Sequence, residues 1–147
     1  MVKIGNYKLV SKPQNASGKN STDVYSLKSI EGKPLWSFEQ YVGKTKILID
    51  ESGEEIVLFG SSLFGNLVRN SEETIILEIV KKGQGLRSYT YNDITGLSLV
   101  KEVEKLNLPP LGGGWIGIDK LITIDSMNWE NRTINFKAKQ KPIPFSF

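Results

Sequence analysis

The sequence predicts an all-β chain, an antiparallel β-sandwich or barrel of about ten short strands with at most one short helix. Three observations carry that expectation. Apolar and polar residues alternate over short stretches, as in Thr133-Ile134-Asn135-Phe136-Lys137-Ala138, which is the period of a half-buried strand. Turn sequences containing Gly, Pro or Asn interrupt these stretches at roughly 8–12-residue intervals, the spacing typical of sandwiches and barrels. No internal repeat is evident, and a single segment, residues 94–106, is ambiguous between the two periods.

The first stretch, residues 2–10, alternates weakly and is expected to be one strand. Residues 11–22 form an apolar-poor loop containing Pro13 and Gly18, long enough to be mobile or a binding loop. Residues 23–30 and 35–42 carry strand residues around the turn Glu31-Gly32-Lys33-Pro34 and predict a hairpin, with Trp36, Phe38 and Val42 on one parity. Residues 46–50 and 55–59 flank Asp50-Glu51-Ser52-Gly53-Glu54, a hairpin turn in which Gly53 supplies the left-handed residue. In Gly60-Ser61-Ser62-Leu63-Phe64-Gly65-Asn66 an apolar pair sits between glycines and is expected at a loop tip. Residues 72–80 are a β-branched apolar run suited to a strand buried on both faces. Lys81-Lys82-Gly83-Gln84-Gly85 then turns the chain into a strand over 86–91.

Residues 94–106 combine Leu99, Val103 and Leu106 at helical spacing with a broken alternation. Thr95, Gly96 and Ser98 disfavour helix, so the expectation is a strand entering a short helical turn. Residues 108–115 hold Pro109, Pro110 and three glycines before Trp115. They read as an irregular crossover that delivers Trp115 into a core, or as a hinge at a subunit contact. Residues 121–139 predict a further hairpin. Met127 and Trp129 lie on the opposite parity from Ile122 and Ile124, so a β-bulge near Asp125-Ser126 is required to bring all four to one side. Its turn is Glu130-Asn131-Arg132, with Asn131 the residue suited to positive φ.

The last seven residues, Lys141-Pro142-Ile143-Pro144-Phe145-Ser146-Phe147, are expected to run as a straight arm, because the two prolines favour an extended course and offer no N–H. Burial of each of its large apolar side chains contributes roughly 1.5–3 kcal/mol, against about 1–2 kcal/mol of backbone entropy per ordered residue. These terms nearly cancel, leaving open an arm ordered on a neighbour or a tail folded over its own core. The expected organisation is a single β domain over residues 1–140 followed by an extended arm over 141–147.

A length of 147 residues suits one domain with a sizeable core. With 39% hydrophobic and 24% charged residues the composition is that of a globular protein. The chain contains no Cys, which excludes a disulfide framework, a thiolate nucleophile and a Cys-based zinc site. It also contains no His, the commonest general base and metal ligand. The net charge of +3 arises from 16 Lys and 3 Arg (Arg69, Arg87, Arg132), a set poor in the forked donor favoured for phosphate, which argues against nucleic acid. The opening residues are not followed by an apolar run and no segment has the length of a membrane span, so neither a signal peptide nor a membrane partner is expected. The triplets at Asn15, Asn20 and Asn131 match glycosylation acceptors but carry little weight without a secretion signal. The expected compartment is the cytoplasm.

Three sets of residues have the composition of chemical sites. Asp50, Glu51, Glu54 and Glu55 could pair for acid–base work or hold a hard cation, but consecutive carboxylates at a hairpin tip are ordinarily a solvated turn. Lys81, Lys82, Arg87, Tyr89 and Tyr91 resemble the basic and aromatic interleaving of single-strand binders, yet are also ordinary cross-strand partners on the wet face of a sheet. The Gly60 and Gly65 spacing is followed by Asn66-Leu67 and so lacks the Lys-Ser/Thr of a phosphate loop. No catalytic residue, metal ligand or cofactor is expected, and the chain reads as a non-enzyme.

Residues 119–136, a short strand, then Trp129 with the turn Glu130-Asn131, then Arg132-Thr133-Ile134 opening an alternating strand, resemble the end of small β-barrel or β-sandwich proteins of bacteriophage tails and baseplates. That resemblance covers about an eighth of the chain and implies a structural virion subunit, repeated around a tail axis, assembled in the host cytoplasm and contacting its own copies and neighbouring structural proteins through loops and terminal arms. On this reading the interface residues are Leu63 and Phe64, the crossover Pro109, Pro110 and Trp115, and the arm residues Ile143, Phe145 and Phe147. The alternative is a carbohydrate- or nucleic-acid-binding β domain that uses Trp36, Trp115, Trp129 and the tyrosines as stacking surfaces.

Overall fold

A computed structural model describes residues 2–13, 23–40, 46–60, 62–64, 72–106 and 115–147. Among these the chain is all-β, as expected, but with thirteen strands against the expected ten or so, and with two short α-helices and one 3-10 turn against the expected single short helix at most. The loop over 14–22, Val42 and the Pro109-Pro110 crossover lie outside the described residues. The chain divides into two compact units, Met1–Phe59 with Glu78–Arg87, and Gly60–Leu77 with Ser88–Phe147.

In the first unit, β1 (Val2–Ile4), β2 (Tyr7–Pro13), β3 (Asp23–Ser29) and β4 (Pro34–Gln40) form an antiparallel sheet in that order. The single first strand expected from alternation is in fact two, because Gly5-Asn6 closes a two-residue hairpin that pairs Ile4 with Tyr7. Such Gly-Asn dipeptides are hairpin signals. β2 also runs on through Pro13, three residues into the stretch expected to be loop.

The next hairpin comprises β5 (Lys46–Ile49) and β6 (Glu55–Phe59) around the Gly53 turn. β8 (Ile75–Lys81) and β9 (Gly85–Thr90) follow β7 (Ser62–Phe64), and the second sheet has the order β5-β6-β8-β9. The core of the first unit is made by Leu9, Leu27 and Phe38 of β2 to β4 with Ile56, Leu58 and Val80 of β6 and β8, edged by Tyr7, Trp36, Ile47 and Ile49. Register explains the grouping: Leu9 faces Leu27 across one ladder and Leu27 faces Trp36 across the next, so a single row of apolar side chains crosses the sheet.

In the second unit, α1 (Tyr91–Thr95) and α2 (Leu99–Glu104) replace the expected strand entering a helical turn. The residues that argued against helix are its boundaries. Thr90 and Asp93 make a capping box, Gly96 ends α1 in the left-handed region at φ 73°, and Ser98 caps α2, satisfying helix-end groups that lack intrahelical partners. Each helix presents buried residues: Tyr91 and Ile94, then Leu99 and Val103. β10 (Trp115–Gly117) leads through the 3-10 turn Ile118–Lys120 into β11 (Thr123–Asn128), β12 (Thr133–Ala138) and β13 (Lys141–Ser146), an antiparallel sheet in chain order.

Candidate interaction surface

The β11-β12 register shifts between Ile124 and Ser126, the bulge that the parity of Ile122, Ile124, Met127 and Trp129 requires. Its effect is visible in burial: Ile122 and Ile124 are buried and Met127 and Trp129 half-buried, while Thr123, Asp125, Ser126 and Asn128 are exposed. The turn that follows is held by Asn128 Oδ1, which accepts the Asn131 N–H at 2.9 Å. Positive φ falls on Arg132 (51°) and not on Asn131. Asn131 is occupied as a donor inside the turn, and the left-handed step is displaced to the next residue.

The arm is a strand. β13 pairs with β12 in continuous register from Ala138↔Lys141 to Thr133↔Ser146, and the Phe147 N–H donates to the Arg132 carbonyl at 3.0 Å. Three rows cross one face of this sheet: Ile124, Phe136 and Ile143; Met127, Ile134 and Phe145; and, beyond the last paired residues, Trp129, Arg132 and Phe147. Ile134 and Phe136 are fully buried, whereas Ile143, Phe145, Phe147 and Trp129 are half-buried, so the face fades from core to surface towards its β13 edge and its turn end. Rings meet edge-on along it, Phe145 with Tyr89 at 5.0 Å and Phe136 at 6.3 Å, and Phe147 with Trp129 at 6.2 Å. Arg132 lies over the Phe147 ring at 4.6 Å and its Nε donates to the Phe147 carbonyl at 3.2 Å.

The other expected interface residues fall as follows. Leu63 and Phe64 are not at a loop tip: β7 pairs with β10, placing Phe64 opposite Trp115 and Leu63 opposite Ile116. The ladder joins segments about fifty residues apart in sequence, a pairing that local pattern does not reveal. Leu63, Phe64 and Trp115 thus share one two-stranded ribbon, and Ile143 and Phe145 share β13, with Phe147 directly after it, all within the second unit.

The carboxylate turn is not simply solvated. Asp50 accepts the Glu51 N–H at 2.9 Å and the Ser52 hydroxyl at 2.7 Å. The tip is clamped from the first sheet, since Tyr7 Oη donates to the Glu51 carbonyl at 2.6 Å and Trp36 Nε1 to the Gly53 carbonyl at 2.7 Å. Glu55 is buried and lies 3.5 Å from Arg87, while Glu51 and Glu54 are exposed. Among the described residues there is no group of three His, Cys, Asp or Glu placed to hold a metal ion. The basic-aromatic set also separates. Tyr91 is buried in α1, Tyr89 packs on Phe145, and Arg87 is paired with Glu55.

An ionic cluster around one buried carboxylate was not legible from the sequence. Glu102 of α2 is buried, with Lys105 Nζ on one carboxylate oxygen and Lys139 Nζ on the other, each at 2.9 Å. Hydrogen bonds from Lys139 and Lys105 hold its carboxyl below the ordinary carboxylate range. Burial, followed by the Glu102 charge, pushes the Tyr91 phenol up. The Glu102 and Lys105 spacing is a helical i, i+3 pair, but the Lys139 contact depends on the β12-β13 turn. Elsewhere Glu72 accepts from the Ser98 hydroxyl and from the Leu99 and Val100 N–H groups at 3.0 and 3.2 Å. The Ser98 hydroxyl does most to hold the Glu72 carboxyl below the ordinary carboxylate range.

These features define an all-β protein of two compact units whose C-terminal sheet carries a partly exposed aromatic face. No helix among the described residues is long and apolar enough to cross a membrane. No protein-family model matches the chain, and comparison with curated proteins and with solved structures likewise gave no match.

Proposed function

We propose that this chain is a structural component of a bacteriophage tail or baseplate, acting by protein–protein assembly and not by catalysis, with its own copies and neighbouring virion proteins as partners. The observation that carries the reading is the β11-β12-β13 face, which ends half-exposed at Trp129, Arg132 and Phe147. Trp and Arg are the residue types enriched among interface anchors. The likeness of residues 119–136 to small tail and baseplate proteins points to the same region.

Light scattering coupled to size exclusion tests the reading, on the full chain and on Trp129→Ala and Phe147→Ala variants. Multimers in the parent and lower mass in either variant, with an unchanged circular dichroism spectrum, are expected. A parent that is monomeric at every concentration, or whose Trp fluorescence responds to a soluble glycan or oligonucleotide, favours the ligand-binding alternative.

A further inference from the structure

We infer that β13 is exchangeable: two copies of the chain can associate by swapping residues 141–147, each strand docking on β12 of the other copy. This deepens the assembly reading above and rests on it. Four observations converge on this arm. First, the connection is a two-residue hairpin in which Lys139 and Gln140 both have positive φ, at 49° and 66°. That turn is built for Asn-Gly or Gly-Gly, and non-glycine residues are strained in it. Short strained hinges invite exchange, because extending them relieves the strain.

Second, simple edge addition to β13 is closed. The Phe147 N–H points to β12, so by strand alternation the odd-numbered members of β13 face β12 and the even-numbered ones face outward. The outward positions include Pro142 and Pro144, which have no N–H to offer a further strand. At the opposite edge of the sheet, the ladder of β11 is broken by the bulge at Asp125.

Third, every contact of β13, including the Phe145 and Phe147 ring packing and the Arg132 pairing, would be remade identically in the exchanged form. The balance therefore falls on the hinge and on the entropy of association. Fourth, the two prolines restrict the released arm to extended conformations, which lowers the entropy lost when it docks again. The Lys139–Glu102 ion pair is the local tie that hinge extension puts at risk, and Glu102 keeps Lys105 when that tie is lost.

The chain has no cysteine, so a disulfide can report the topology. Thr133 and Ser146 face each other in a non-hydrogen-bonded pair, the close spacing a disulfide suits. The full-length Thr133→Cys/Ser146→Cys variant, oxidised across a concentration series, is expected to give covalent dimers on a non-reducing gel. Adding Lys139→Asn and Gln140→Gly, which relaxes the hinge in its closed form, is expected to lower the dimer fraction about tenfold. The same hinge pair without cysteines, followed by light scattering, provides an independent reading. Oligomers that contain only intrachain disulfides, or a dimer fraction indifferent to the hinge, overturn exchange and leave the assembly reading standing. A monomer at every concentration overturns both.

Discussion

Gly53 shows how a single backbone position ties a turn to a sheet. Its φ of 72° is one that side chains rarely adopt, and a Cβ placed there would lie 2.6 Å from the Tyr7 ring. Gly53→Ala is expected to destabilise the first unit by roughly 2–4 kcal/mol, from backbone strain and overpacking together, measured by urea unfolding. Glu102 makes a pH-dependent contribution of determinate sign. Its folded pKa lies below the ordinary 4.5, so the stabilisation it provides is complete above that value and is lost as pH falls through the lowered folded value. Urea titrations from pH 6 to 3 should show a shallower acid loss in Glu102→Gln than in the parent. Because Lys105 and Lys139 are more than half exposed, both can return to water in that variant, and the cost at neutral pH should be modest.

At the scale of elements, the capping residues decide where α1 begins. Thr90 Oγ1 accepts the Asp93 N–H at 3.2 Å while Asp93 accepts the Thr90 N–H at 2.8 Å, and Thr90→Ala is expected to cost about 1 kcal/mol. β13 is held differently, by half-buried side chains and a full ladder. Phe145→Ala removes the ring that meets both Tyr89 and Phe136 and should cost roughly 2 kcal/mol, less than a fully buried Phe because its site is partly open. Residues 94–106 fold into parts of two short helices and not the expected strand, for a local reason. Thr95, Gly96 and Ser98 are poor helix formers inside a helix and good ones at its ends, and alternation over thirteen residues does not separate one interrupted helix from two short ones.

For the whole molecule, the two half-buried tryptophans with described side chains report on different surroundings. Trp36 is fixed by its Nε1 bond to Gly53 and by Phe38 at 5.2 Å, whereas Trp129 lies at the open end of the C-terminal face. In single-tryptophan variants, acrylamide quenching of Trp129 is expected to fall as protein concentration packs neighbouring copies onto this face, while that of Trp36 stays constant; exchange of β13 alone remakes the Trp129–Phe147 contact and leaves both unchanged. Equal behaviour of the two would place the contact elsewhere.

By itself the sequence determined the all-β class, the hairpins around Gly32, Gly53 and Gly83, the doubly buried strand β8 and the bulge at Asp125, because each follows from alternation and turn chemistry within about a dozen residues. Only the tertiary structure decided that Leu63 and Phe64 pair with the strand of Trp115, that Glu102 meets Lys139, that Tyr7 and Trp36 clamp a turn, and that the terminal arm lies along β12. Those contacts bring together residues far apart in the chain, and their stability comes from closing a shared core and satisfying buried polar groups, neither of which leaves a periodic mark on the segments involved.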